Sequence, residues 1–239
     1  MFTLCSHLER VASTSRIDLR PGLDPPGVDH IYPNFDEHPD PSHRSLYLAQ
    51  VLKILAELPR GAKILDAGCG GGDFAVGLAE AGYEIYGCDL NESAIAAANR
   101  RGIGTFKCAS LYESLTEPFG VDAFDAIVSV EVIEHLYSPY SYVRQGYDAL
   151  RPGGLFIVTT PYWGYWKNLA LAVTNRTDGY LTALWEGGHI KHFSRKTLTR
   201  LFNDCGFTEA GFQGAGETPS RRIPYLWSGM VMTFRKPAG

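Results

Sequence analysis

The chain reads as an α/β fold, a doubly wound parallel sheet, on three observations. Short apolar runs alternate with amphipathic stretches of helical period, the pattern of successive strand–helix units. One run, Ile64-Leu65, leads through Asp66 into Gly68-x-Gly70-Gly71-Gly72 and then into the amphipathic stretch Phe74–Ala81. A second run, Tyr83-Glu-Ile-Tyr-Gly-Cys-Asp89, ends in an acid roughly 20 residues further on.

Taken in order, residues 1–41 carry prolines at 21, 25, 26, 33, 39 and 41, so no long helix crosses 21–41. A partly disordered leader, a strap over the domain and a lid whose Tyr32 and Phe35 reach a substrate are all open readings. The expected boundaries are 1–43 for this strap or lid and 44–239 for the domain. Residues 42–58 are predicted as a helix, with Ser42 as N-cap and Leu48, Val51, Leu52 and Leu55 at helical spacing. Pro59-Arg-Gly61 ends it.

The glycine turn comes next. Glycine belongs there because a Cβ blocks both the turn and the approach of a ligand to the backbone. The helix start that follows presents free N–H groups to whatever sits on the turn. A phosphate loop needs Gly-Lys-Ser/Thr at this point, whereas this chain has Gly72-Asp73-Phe74. An acid there repels a pyrophosphate, which counts against a dehydrogenase. Asp66 inside the turn also suits a cationic ligand. A nucleoside with a positive centre and no phosphate fits, namely S-adenosylmethionine.

Residues 83–88 form the second strand, and Asn91 caps an alanine-rich helix through Arg100. Gly104–Cys108 is a short third strand. Asp122–Val130 is a fourth, apolar enough to be buried on both faces. Pro139–Leu150 is a helix stopped by Arg151-Pro-Gly-Gly154, and Leu155–Thr160 is the fifth strand. Ser194 caps a helix through Cys205, with Leu198, Leu201 and Phe202 inward and Gly206 as its stop. Phe207–Gln213 and Leu226–Phe234 supply the last two strands.

Four stretches now stand together: Asp66-Ala-Gly-Cys-Gly-Gly-Gly72, Asp89 after the second strand, Phe124-Asp-Ala-Ile-Val-Ser-Val-Glu-Val-Ile-Glu-His135, and Leu150-Arg-Pro-Gly-Gly-Leu-Phe-Ile-Val-Thr-Thr-Pro161. They resemble the class I, Rossmann-like S-adenosylmethionine-dependent methyltransferases, and within them the branch of the ubiquinone-biosynthesis O-methyltransferases. The resemblance covers about residues 44–212. It implies a mostly parallel seven-stranded sheet with helices on both faces and the final strand inserted antiparallel.

By the same resemblance the cofactor meets Asp66, Gly68, Gly70, Asp89, Leu90, Ser110, Val130 and Glu131, and Arg44 faces its carboxylate unless that arginine is simply solvated. The family's usual acid after the third strand is missing. Here the order is Lys107-Cys108-Ala109-Ser110-Leu111, so backbone or Ser110 contacts stand in.

Glu131-x-x-Glu134-His135 is the second informative stretch. One helical turn places 131, 134 and 135 on one side, and two carboxylates beside an imidazole call for a cation. Gly187-Gly-His189-Ile-Lys-His192-Phe-Ser194 adds two histidines. Similar motifs occur in metal-dependent ubiquinone O-methyltransferases and small-RNA 2′-O-methyltransferases. Carried over, they imply a divalent cation such as Mg2+ on Glu131, Glu134, His135 and one of His189 or His192, with His192 the assigned fourth ligand. The competing reading has no metal, with Glu131 lining the cofactor site. Methyl transfer then needs alignment, exclusion of water and removal of a proton. His135 is the first candidate base, and His189 or His192 the second.

The connection at residues 161–193 is long and holds Tyr162, Trp163, Tyr165, Trp166, Tyr180 and Trp185. It is read either as a small helix, about Tyr165–Thr174, packed on the domain, or as a cap in which Tyr162, Trp163 and Trp166 line an apolar acceptor site. The same apolar surface suits a membrane surface or a partner subunit.

Composition sets bounds. The 239 residues, 45% hydrophobic and with net charge −4, describe one ordinary globular domain. The charge counts against a nucleic-acid substrate. The five cysteines form no Cys-x-x-Cys pair and are expected to be buried reduced thiols. No run approaches a membrane span and no signal-peptide core is present, so a cytoplasmic monomer or homodimer is expected. The expected function is O-methylation of an aromatic, quinone-like or natural-product acceptor. The alternatives are a metal-dependent RNA 2′-O-methyltransferase and a non-catalytic cofactor-binding domain.

Overall fold

The computed structural model describes residues 41–181, 188–216 and 226–239, and the side chains of the first helix from residue 46 onwards. Tyr32, Phe35, Trp185, Gly187 and the Arg44 side chain lie outside these residues, as does most of the expected strap at 1–43.

Seven strands form one sheet: β1 (Lys63–Ala67), β2 (Glu84–Asp89), β3 (Thr105–Cys108), β4 (Phe124–Val130), β5 (Leu150–Pro161), β6 (Thr208–Ala215) and β7 (Gly229–Arg235). Their order is β3-β2-β1-β4-β5-β7-β6. Strand β7 runs antiparallel to both neighbours, and the other pairings are parallel. The mostly parallel, seven-stranded, doubly wound sheet is therefore as expected. Strand order reverses between β1 and β4, which places the ligand crevice of such a sheet beyond their carboxyl ends.

Among the described residues the α-helices are α1 (Pro41–Leu55), α2 (Asp73–Glu80), α3 (Glu92–Arg100), α4 (Pro139–Ala149), α5 (Tyr165–Val173), α6 (Thr177–Leu181) and α7 (Arg195–Asp204). Inward residues alternate along each strand. Leu65, Ile127, Phe156, Val158, Met230 and Met232 meet Tyr142, Leu198 and Phe202 from α4 and α7 on one face. Ile64, Ala126, Val128, Leu155 and Ile157 meet Val51, Leu55, Leu78 and Ile95 from α1, α2 and α3 on the other. Both faces are covered, which is why the central strands read as continuous apolar runs.

Local expectations hold where side-chain capping decides them. Asn91 accepts the Ala94 N–H at 3.0 Å. Ser194 and Thr197 form a reciprocal capping box at the start of α7. Three expectations are corrected. Helix α1 starts at Pro41, so Ser42 lies inside it, and Tyr47 joins the expected Val51 and Leu55 in its buried stripe, with Leu48 and Leu52 half-buried beside them. Pro is tolerated there because the first turn has no partner for an N–H. The segment Arg151–Gly154, expected as a stop, is drawn into β5 as an irregularity, with pairing jumping from Phe124↔Leu150 to Ala126↔Leu155. Lys236 holds it in place from β7's far end, through backbone bonds to Gly153 and Gly154 at 2.9 and 3.0 Å. Cys69 and Cys88 are buried free thiols, but Cys108 is exposed. Among the described residues no helix is long and apolar enough to cross a membrane.

Candidate active site

The turn after β1 is built to hold itself open. Gly68 and Cys69 donate to the Cys88 carbonyl at 2.8 and 3.0 Å, tying the turn to β2. Gly70 donates to one oxygen of Asp89 at 3.0 Å, and Asn91 donates to the other at 3.0 Å. Each carboxylate oxygen thus keeps a lone pair for a ligand. Gly68 sits at φ 80°, and a Cβ there would come 2.5 Å from Val132 Cγ2. Glycine is required on both counts. Asp73 is paired with Arg101 at 2.5 Å, and Arg101 Nε also donates to the Gly71 carbonyl at 2.7 Å. The far side of the turn is therefore braced by an ion pair, and its acid is partly neutralised.

Asp66 lies beneath the turn, 2% exposed, and its Oδ2 has no hydrogen-bond partner among the described residues. Burial, with the charge of Asp89 adding, pushes this carboxyl up to about 7. A buried acid with an unspent oxygen is complementary to a cation. Ser110 uses its hydroxyl within its own turn, accepting the Tyr112 N–H at 3.2 Å. The Leu90 carbonyl accepts from the Cys108 thiol at 3.3 Å.

Glu131 follows Val130 at the end of β4 in the left-handed region, φ 54°. It is therefore not on a helical turn with 134 and 135, as the spacing predicts. The only helical turn here is the short 3₁₀ segment Ile133–His135. Its carboxylate accepts from Thr159 Oγ1 at 3.1 Å and from the buried Tyr47 phenol of α1. Burial pushes Glu131 up to about 7, opposed by those hydrogen bonds and by the charge of Lys167.

Glu134 is fully buried, with Thr160 and Glu131 beside it, and among the described residues neither carboxylate oxygen meets a donor at good hydrogen-bond geometry. Burial, reinforced by Glu131, holds it well above the usual carboxylate range. Its backbone carbonyl grips the distant segment instead, accepting from Ile190 N–H at 3.0 Å and Lys191 N–H at 2.9 Å. That grip carries His189 to His135, with ring centroids 4.9 Å apart at 68°. His135 Nε2 lies 4.0 Å from Glu134 Oε1, and Nδ1 lies 3.3 Å from the Gly188 carbonyl. A proton on Nδ1 satisfies that carbonyl and turns the Nε2 lone pair towards the carboxylate. Ligating atoms of Glu134, His135 and His189 all lie within 4.8 Å of one another.

The geometric grouping differs from the expected ligand set. His189 joins Glu134 and His135, while the His192 ring lies tilted at 52° against Trp163, centroids 4.4 Å apart, and Glu131 stands outside the group. Burial also pulls His192 below the usual imidazole range. The aromatic segment divides as well. Tyr162 packs into the core against Phe212 and Trp227, Trp163 is half-buried, and Trp166 is 59% exposed on the outer face of α5. Of the three expected to face a substrate, only Trp163 lies beside the histidine segment, its backbone N–H donating to the Phe193 carbonyl at 3.0 Å.

Tyr47, Thr159 and Lys167 are the residues that motif reading missed. Tyr47 had a signal, standing four residues before Val51 on the buried stripe of α1. Thr159 and Lys167 had none.

A family model for a methyltransferase domain matches residues 42–209. The chain belongs to this methyltransferase-domain family. It is an S-adenosylmethionine-dependent methyltransferase with the Rossmann-like fold. Among curated relatives, the ubiquinone biosynthesis O-methyltransferase of Bordetella avium is 29% identical over 203 residues, 80% of this chain and 82% of that protein. The one from Ruegeria pomeroyi is 36% identical over 104 residues, 42% of this chain but only 41% of that protein. Among solved structures, the magnesium protoporphyrin IX methyltransferase of Synechocystis with bound SAH aligns with TM-score 0.61 at 18% identity, covering 81% of this methyltransferase and 83% of that chain. At that identity the likeness carries the fold.

Proposed function

We propose that this methyltransferase methylates a hydroxyl oxygen of a small aromatic, quinone-like or natural-product acceptor. The observation that carries the reading is the buried, unpartnered carboxylate of Glu134 facing two imidazoles at the carboxyl edge of the sheet. The relatives named for ubiquinone O-methylation support the acceptor class. S-adenosylmethionine supplies an already activated methyl group. Asp66 complements its positive centre, Asp89 takes its ribose hydroxyls, and the turn at Gly68 and Gly70 admits it to the backbone. Leu90, Ser110, Val130 and Glu131 complete the wall.

The Glu134, His135 and His189 group fits a divalent cation. Two carboxylate oxygens lack donors, and the His135 lone pair faces them. Two imidazoles and one carboxylate suit zinc, manganese or iron better than magnesium, which prefers oxygen ligands. A cation held there supplies Lewis acidity that lowers the pKa of an acceptor hydroxyl. With no cation bound, His135 or His189 is instead the base that takes the released proton, and Trp163 with His192 shields the site from water.

Calorimetric titration with S-adenosylmethionine and S-adenosylhomocysteine, before and after chelation, tests this. Both ligands should bind in either state, Asp89→Ala should weaken both at least tenfold, and chelation should remove turnover of catechols alone. Failure of both ligands to bind wild-type protein would sink the cofactor site.

A further inference from the structure

Helix α5 is inverted. Its Tyr165, Trp166, Leu169 and Val173 are exposed, and its one charged residue, Lys167, is 4% exposed. Among the described residues Lys167 is the only buried lysine or arginine. An ammonium taken out of water is costly unless it is paired and hydrogen-bonded. Here it is neither in full. Its one hydrogen bond is to the Ser228 carbonyl at 3.3 Å, and the rings of Tyr180 and Trp163 lie 4.6 and 5.5 Å away. Glu131 is the acid it feels most, yet the two make no ion pair within 4.0 Å. Among the described residues two of its three donors are left unspent.

A second, independent observation sits beside it. The indole Nε1 of Trp163 is buried and has no acceptor among the described residues. Tryptophan N–H groups are normally paired when buried. Two neighbouring side chains therefore hold donor capacity that no group among the described residues uses. Both lie at the carboxyl edge of the sheet. Trp163 follows β5 directly, and Ser228 immediately precedes β7. Trp163 also touches the segment that carries His189, through its bond to Phe193 and its contact with His192.

We propose that the Lys167 ammonium and the Trp163 indole N–H together receive a carboxylate on the methyl acceptor, distinct from the oxygen that is methylated. This rests on the acceptor reading above and narrows it to acidic aromatic acceptors. Lys167 acts as a specificity residue, holding one end of the acceptor while the other end reaches Glu134, His135 and His189. Burial has already lowered the ammonium to about 8, so it is charged at neutral pH, and a carboxylate keeps it so.

The test is binding of 3,4-dihydroxybenzoate and of its methyl ester to protein saturated with S-adenosylhomocysteine, read by calorimetry. The acid should bind wild type at least tenfold tighter than the ester. Lys167→Met should erase that preference, and Lys167→Arg should keep part of it. Trp163→Phe, which retains the ring, should weaken the acid severalfold and leave the ester unchanged. Melting curves check folding, and if Lys167→Met does not fold, the arginine and phenylalanine variants decide. An acid no tighter than the ester in wild type overturns the proposal, as does equal loss of both probes in a folded variant. Failure of S-adenosylhomocysteine itself to bind would instead overturn the cofactor reading, and this proposal with it.

Discussion

Thr159 holds Glu131 from both ends. Its Oγ1 accepts the Glu131 backbone N–H at 3.0 Å and donates to Glu131 Oε1 at 3.1 Å. One hydroxyl thereby fixes a non-glycine residue at φ 54°, a conformation that costs about 1–3 kcal/mol and persists only where its surroundings impose it. Thr159→Val keeps the shape and removes both bonds. It should destabilise the protein by roughly 1–3 kcal/mol in urea unfolding. It should also weaken S-adenosylmethionine about tenfold, because Glu131 then relaxes out of the proposed cofactor wall.

Asp66 predicts a pH dependence of known sign. Its pKa in the ligand-free fold is raised from 3.8 to about 7. Its contribution to stability is thus present in full below 3.8 and lost as pH rises through about 7. A cationic cofactor prefers the ionised form, so affinity should climb with pH and level off above about 7. Asp66→Asn should flatten both trends. Calorimetry and melting curves from pH 5 to 9 (roughly two units either side) read them. An affinity that falls with rising pH would show that Asp66 does not face the positive centre.

Gly68 joins a left-handed backbone to a close contact with Val132. Gly68→Ala should cost about 1–3 kcal/mol from strain alone. The clash at 2.5 Å pushes Val132 and the start of the Glu131–His135 segment, so catechol turnover should fall along with cofactor affinity. Gly68→Ala,Val132→Ala should recover part of the stability, because the side chain met by the new Cβ is then gone.

The proposed cation group separates two histidines that the sequence treats alike. In wild type, zinc or manganese at a hundredfold excess over its Kd should stabilise by about 2.7 kcal/mol, a melting rise of roughly 5–10 °C for a domain of this size. Glu134→Gln and His189→Ala should abolish that rise, and His192→Ala should retain it. Glu134→Gln should not lower the melting point of the metal-free protein, since it removes a buried acid that has no donor. A rise that vanishes in His192→Ala and survives in His189→Ala would reverse the assignment.

Much of the site was legible in the chain because local geometry makes it. The turn of Gly68 and Gly70, and the acid at Asp89 closing on it, follow from a strand, a tight turn and a helix in succession. Asn91 and Ser194 announce their helices through hydrogen bonds that span three residues. The Glu131-to-His135 stretch failed as a single helical turn because Glu131 is held by Thr159 from 28 residues away. Periodicity has no access to a bond of that kind.

The sequence by itself determined the α/β class, the parallel order of the central strands and the cofactor turn. Each rests on patterns of neighbours a few residues apart, and the resemblance of four motifs supplied the antiparallel last strand. Only the tertiary structure decided which histidine joins Glu134, since two backbone N–H groups at Ile190 and Lys191 close on the Glu134 carbonyl and set the register of that segment. It likewise decided that α5 faces its lysine inward and its aromatics outward. A helix shows which residues share a face, but only the packed domain determines which face is buried.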